Sequence, residues 1–528
     1  MKDSEAFHLQ TVYSLWHSHI SNVLPDDILP ELPNCQSRSD SGLEIDDHER
    51  QNLQKHMRIT SYEPTVPSTD SLNMSICLYF AKAQPIFPIV HRATFRPCKT
   101  RASLSIALCA LGRIYFFERI HKATLQSWES MIERSRDAMI SVIHSATMSQ
   151  VFGMLSGSPR ILLTVDSFHG PPVSWARQIH LCQRRSSTFV NPEAQSPELE
   201  AMWRKWAYNE ELLRVVHGLY IIDAELASIL HHEPIQNFES YCLDFTSSEA
   251  AFAAPSAADW QEKYLLDMRH RDGQPSNVDY RRLIEEPKII HRIPATSLFA
   301  AYAALQFIST KVLSTRLPLV GTINSVRQYD QALIEFHQRF LSATQRDPKA
   351  DPLQLNVLWH TVFMETLTDF NLLERAIGRD GCKLTAPELS NVTAWASSED
   401  AIRCIFHGLM ILKHIQAMNI TSEPAIHVPR ALFWAAVAIL CHLRFGTMEN
   451  GPRLSLREAS RYPEFLSVDM DESILGLELR HSRAGSATAL KTKLFSIIDI
   501  LEHAGHWEIA RKFAATLTVV SNFAFDCI

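Results

Sequence analysis

The chain has 528 residues, 46% hydrophobic and 21% charged, a length that calls for two or more packed units and a balance typical of soluble globular proteins. Its net charge is −7, and residues 1–70, with 12 Asp/Glu against 5 Lys/Arg, carry all of it, so no segment-wide basic field is left to attract nucleic-acid phosphates. The N-terminus, MKDSEAFHLQ, has no apolar core for a signal peptide, and the longest apolar run, 431–441, is expected to be too short to cross a bilayer.

Glycine is scarce, 16 in all, and hairpins and tight turns need it at positive φ, so an all-α fold is expected. Residues 1–70 read as an acidic, largely flexible segment with one short helix near residues 7–23. Within it, 15–32 interleaves Trp16, Leu24, Ile28 and Leu29 with Asp26 and Asp27. Such a pattern suits a transcriptional activation motif, whose acids keep bulky groups solvated until a coactivator groove takes them. It equally suits a linker that docks one helix on the body.

From Ser71 onward, amphipathic periodicity predicts helices over 71–83, 102–119, 124–145, 202–230, 296–315, 324–341, 354–377, 399–419, 430–445, 488–502 and 507–522. Longer loops are expected at 155–200, 242–295, 378–398 and 446–487. A domain over 71–340 and a helical extension over 341–528 packed on it follow from this layout. No repeat of solenoid period is present.

The chemistry-bearing motifs are few. Ten cysteines are scattered without a CxxC, which points to reduced, mostly buried thiols and offers neither a six-cysteine zinc cluster nor a Cys2His2 finger. Cys404 and His407 form C-x-x-H with no second pair nearby, and read as core residues. His231 and His232 point in different directions on a helix and are expected to end it, with Pro234 as the stop. His169, followed by Gly170, Pro171 and Pro172, reads as a stiff surface turn. Phosphate loops, a GxSxG elbow and HExxH are absent. Asp223, flanked by Ile222 and Ala224, needs a partner and is expected in a structural ion network. Glu210 and Arg214, four apart, are expected to pair along the helix surface.

Three blocks carry a resemblance. The first is LYFAKAQPIFPIVHRATFRP, with Tyr79, Phe80, Pro85, Phe87, Pro88, His91, Thr94 and Phe95. The second, over 203–237, contains Trp203, Trp206, Glu210, Arg214, Tyr220, Asp223, Glu233 and Pro234. The third is FAAPSAADW, from Phe252 to Trp260. In this order, over roughly residues 60–340, they resemble the fungal-specific transcription factor domain, or middle homology region, and in particular its branch with Cys2His2 fingers.

The resemblance implies a multi-helix regulatory domain of a nuclear transcription regulator, controlling a metabolic or secondary-metabolite gene cluster. It offers no catalytic, cofactor-binding or metal-binding residues. Its signature residues are expected to be structural: Pro85 and Pro88 fixing a turn, Phe87 and Phe95 filling a core, Glu210 and Arg214 ordering helices. Zinc is expected only in a DNA-binding module outside this chain, so DNA is reached indirectly. Partners are expected among transcription factors, coactivators and a second subunit, with a small-molecule effector between helices and no membrane. Two other classes stay open: a helical enzyme or metabolite-binding protein, marked by a deep pocket with converging Asp, Glu or His, and a dimerising scaffold or dominant-negative partner of full-length factors.

Overall fold

The computed structural model describes residues 2–18, 43–60, 68–99, 102–112, 136–181, 196–236, 243–271, 277–316, 327–342, 351–418, 422–446, 461–466, 483–505 and 507–526. The helices run in order: α1 Lys2–His17, α2 Asp47–Thr60, α3 Thr69–Leu78, α4 Ala102–Gly112, α5 Arg136–Leu155, α6 Pro159–Ser167, α7 Gly170–Gln178 and α8 Glu198–Leu230. There follow α9 Glu249–Phe252, α10 Ala257–Arg271, α11 Arg282–Glu285, α12 Leu298–Arg316, α13 Arg327–Phe336, α14 Leu355–Leu367, α15 Phe370–Ala376 and α16 Ala386–Ala396. The last are α17 Glu399–Gln416, α18 Val428–Phe445, α19 Pro463–Leu466, α20 Arg483–His503 and α21 Glu508–Asp526. Among the described residues the only strands are β1 Leu243–Asp244 and β2 Asn277–Val278, paired antiparallel with Leu243 opposite Val278.

The predicted helices form, with informative differences. The segment expected at 354–377 breaks at Thr368, which is extended, and Asp369 caps the new helix by accepting the Leu372 N–H at 3.3 Å. The expected loops hold helices of their own. In 155–200, Ser158 caps α6 and Pro159 opens it, and α7 likewise begins among prolines. In 378–398, Thr385 and Glu388 form a capping box that starts α16. α10 lies within 242–295. Residues 113–135, where the sequence expects helix on both sides of a break, lie outside the described residues. At the N-terminus the expected single helix begins earlier, at Lys2, and α2 adds a second.

Two apolar cores organise the body. The first gathers α3, α4, α5, α8, α12 and α13. The second gathers α15, α17, α18, α20 and α21, with Val12 of α1. α14 serves both: Leu358, Trp359 and Phe363 face the first core, Val357, Met364 and Leu367 the second. α8, 33 residues and about 50 Å long, is the spine of the first core. α18 fills the same place in the second. The whole helix around the apolar run 431–441 has 18 residues, enough by length and composition to span a bilayer. It is instead wrapped by α17, α20 and α21, and its buried face runs from Val428 to Cys441.

Among the described cysteines, Cys109, Cys404 and Cys441 are buried, whereas Cys77, Cys98 and Cys382 are exposed, so the expectation of mostly buried thiols holds for half of them.

Candidate functional site

The three sequence blocks converge on one side chain. Arg214 is fully buried on α8, not on the helix surface as its spacing from Glu210 suggested. Its Nε donates to Glu210 Oε1 at 2.9 Å, Nη1 to Glu249 Oε2 at 2.8 Å and to the Pro88 carbonyl at 3.2 Å, and Nη2 to the Ser247 carbonyl at 2.9 Å. Its guanidinium lies 3.9 Å from the centre of the Phe252 ring. Burial works against the charge, but Glu249 and Glu210 outweigh it and raise the Arg214 pKa. Glu210 also accepts from the Ser247 N–H at 2.8 Å and hydroxyl at 3.2 Å, so its carboxylate is satisfied.

Around this clamp the other signature residues fill space. Pro85 is exposed in the turn after α3, and Pro88 is buried beneath Arg214. Tyr79, Phe80, Phe87 and Phe95 are core residues. The His91 ring bonds Thr94 Oγ1 through Nδ1 at 2.8 Å, while the His91 backbone N–H donates to Glu211 at 2.6 Å. The same ring meets Trp203, Trp206 and Phe252 edge-on, and Trp206 packs 5.2 Å from Trp260. Burial, with the Arg214 charge added, pushes the His91 pKa down to about 4. Gly218 is required here: a Cβ would lie 2.9 Å from Phe87 Cζ.

Asp223 finds its partners at the end of the same helix. It accepts the Ile235 and Gln236 N–H groups at 3.0 and 2.7 Å, folding the chain around half-buried Pro234. His169 Nε2 stands 3.3 Å from Asp223 Oδ1, and its Nδ1 3.0 Å from Gln150 Oε1. His169 is therefore fully buried rather than part of a surface turn, because Gln150 bonds one ring nitrogen and the Asp223 carboxylate lies beside the other inside the core. The histidines after α8 end it as expected: His231 takes φ 54° and bonds Glu374 at 2.8 Å, and His232 bonds Asp166 at 2.9 Å. Cys404 and His407 are core residues, with His407 Nδ1 2.8 Å from His360 Nδ1.

The residues that pattern reading missed sit at the seam between the two cores. Arg430 of α18 bonds Glu225 of α8 through Nε at 3.0 Å and Nη2 at 2.9 Å, and Glu365 of α14 at 3.2 Å. Burial would raise both carboxylates. The nearby guanidinium holds Glu225 below its ordinary range, whereas Glu365 stays above it. Glu365 is further bonded by Ser309 at 2.6 Å and Ser228 at 3.3 Å. A lone Glu in the apolar run after Asp223 and an Arg opening an otherwise apolar helix were the available signals.

Beside this seam lies a cavity of about 320 Å³. α6, the end of α8, α15, α18 and α21 wall it, and Trp16 and His17 of α1 border it. Trp16, assigned by sequence to the candidate activation segment, is half-buried with its ring 5.4 Å from Phe433. Leu24, Asp26, Asp27, Ile28 and Leu29 lie outside the described residues. Among the described residues, Asp499, Glu502 and His503 bring donor atoms within 4.8 Å of one another, but all three are exposed on one solvated helix face.

Residues 76–318 match the family described as fungal specific transcription factor domain, within the 60–340 span expected from the sequence blocks. A nicotinate catabolism cluster-specific transcription factor of Emericella nidulans is 20% identical over 201 residues, 37% of this chain and 23% of that protein. A transcription factor of Gibberella fujikuroi is 19% identical over 207 residues, 38% of this chain and 28% of that protein. The chain thus spans about a quarter of the length of these relatives. No solved structure matches it. The three blocks clamped at Arg214 all lie inside residues 76–318, the part of the chain that is similar to the fungal specific transcription factor domain.

Proposed function

We propose that this chain is the regulatory body of a nuclear, non-enzymatic transcription regulator that controls a metabolic or secondary-metabolite gene cluster. The observation that carries the reading is the domain at 76–318, with its three blocks joined at one buried arginine. The printed name of one relative, specific to a nicotinate catabolism cluster, supports a catabolic cluster as the target. The chain works through contacts with other transcription factors or coactivators and through dimerisation, and reaches DNA indirectly. Its composition supports protein contact better than phosphate contact, since charges outside residues 1–70 sum to zero.

The test is a tethered reporter. The full chain is fused to a heterologous DNA-binding domain upstream of a reporter gene. Reporter output is expected to rise, and removal of residues 1–35 to abolish the rise. Output equal to that of the DNA-binding domain alone rejects the reading.

A further inference from the structure

We propose that the cavity beneath α1 binds a small organic monoanion, an aryl or alkyl carboxylate of about a dozen non-hydrogen atoms, and that α1 is its movable roof. The size follows from the volume. A dry cavity of roughly 150 Å³ accommodates benzene, with six heavy atoms. The 320 Å³ here is about twice that.

The charge follows from which cations are already paired. Arg430 is matched by Glu225 and Glu365, and Arg379 by Glu374 at 3.0 Å and Asp380 at 3.1 Å. Lys512 of α21 is half-buried on the cavity wall, and among the described residues no carboxylate pairs with it. One uncompensated positive charge in an apolar cavity selects one negative charge and disfavours a cation.

The walls are fixed before a ligand arrives. Trp434 is stacked on Phe370 at 4.3 Å and donates its Nε1–H to Glu374 at 2.8 Å. Phe433 is stacked on Phe513 at 4.3 Å. Such aromatic surfaces accept a planar apolar body without reorganisation. The roof is different. Trp16 and His17 come from the last turn of a single N-terminal helix that packs chiefly on α21. A ligand that touches Trp16 binds the docked arrangement of α1 more tightly, and so draws the equilibrium toward docking. Where the chain is a transcription regulator, occupancy would then hold back the segment that follows α1. This consequence rests on the functional reading above, whereas binding is a property of the purified chain alone.

Lys512 also sets a pH signature. Burial pushes its pKa down to about 8. The ionisable groups around the same cavity are His17 from α1, His231 after α8, Glu374 from α15, Arg379 beyond it and Arg430 from α18. Of these, His17 is lowered by burial and by Lys512, and so is neutral where Lys512 titrates.

The experiment is isothermal titration of the purified full chain with 1-naphthoate and with its neutral isostere 1-naphthamide. Naphthoate is expected to bind at least tenfold more tightly than naphthamide, with the preference shrinking between pH 7 and pH 9. Lys512→Met should remove the preference and its pH dependence. That variant deletes an unpaired buried charge, so its melting temperature should not fall. Trp16→Ala should weaken naphthoate severalfold in both backgrounds. Equal affinities for the two probes, or no binding of either at millimolar concentration, overturn the anion site. An unchanged affinity in Trp16→Ala overturns the roof. A silent tethered reporter alongside intact naphthoate binding would instead reject only the regulator reading.

Discussion

Arg214 exchanges water for four hydrogen-bond acceptors and an aromatic face, the acceptors coming from three separate parts of the sequence around residues 88, 210 and 247–249. The consequences of removing it differ by partner. Glu249 is 25% exposed on its side chain and can rehydrate, whereas Glu210 is 3% exposed and cannot. Arg214→Met is therefore expected to cost about 3–5 kcal/mol, most of it from the stranded Glu210 charge. Adding Glu210→Gln should restore more stability than adding Glu249→Gln, measured by urea denaturation. Equal recovery from the two would show that burial of the carboxylate is not what sets the cost. Gly218 is the second sensitive position. Alanine there gains about 1 kcal/mol of helix propensity. It also forces a methyl to 2.9 Å from Phe87 Cζ, in a core where overpacking costs about 1–3 kcal/mol. The net effect of Gly218→Ala should be destabilising, and Phe87→Leu in the same chain should relieve it, a coupling that a double-mutant cycle would detect. Additive losses would remove Phe87 as the reason for the glycine.

At the scale of elements, α1 is the piece whose attachment is most readily tested. Its buried side is Leu9 and Val12, with His8 stacked on Phe523 at 3.8 Å. Gly378, at φ 109°, lets Leu9 and Val12 approach, since a Cβ would sit 3.0 Å from Leu9 Cδ2. A helix of 16 residues has little stability of its own in water. Val12→Asp places a charge in the second core and should release α1, so that amides 8–17 exchange at the rate of unstructured chain while α18 stays protected. Retained protection of α1 would show that its helix does not depend on docking. The elements also mark the limits of pattern reading. Long amphipathic helices were legible because each keeps one face apolar over many turns. α6, α7 and α16 were not, because nine to eleven residues give too few turns for periodicity to stand out. Their caps were nevertheless written in the sequence, as Ser158-Pro159 and as Thr385 three residues before Glu388. The clamp was half legible: Glu210 and Arg214 stood out by spacing, but Glu249 and Pro88 lie 35 and 126 positions from Arg214. For the Glu225–Arg430 pair, 205 positions apart, each residue stood out in its own apolar helix, but nothing local joined the two.

For the whole molecule, histidine burial sets the response to acid. Burial is the leading cause that pushes His91, His144, His217, His337, His414 and His427 down to about 4. His360 and His407, against each other in the second core's boundary, are lowered further, again chiefly by burial. In the unfolded chain the same rings take up protons near pH 6.5. Between about pH 6.5 and pH 4 the unfolded state therefore binds more protons, and stability falls as the pH falls. Each such ring contributes about 1.4 kcal/mol per pH unit once the pH is well below 6.5. Carboxylates act on both sides of this balance. Glu225 and Glu374, held low by cationic neighbours, add to the acid loss, while Glu365 and Asp351, raised by burial, oppose it. Against a total stability of about 5–15 kcal/mol, eight histidines acting together leave little margin one to two pH units below their free value. Unfolding monitored by circular dichroism at 222 nm should then show a midpoint near pH 5, above the range in which carboxylates alone would titrate. Replacing His360 and His407 together by Asn and Phe should shift that midpoint downward without affecting stability at pH 8. A chain that keeps its native signal to pH 4 would mean that these rings do not remain neutral in the folded core.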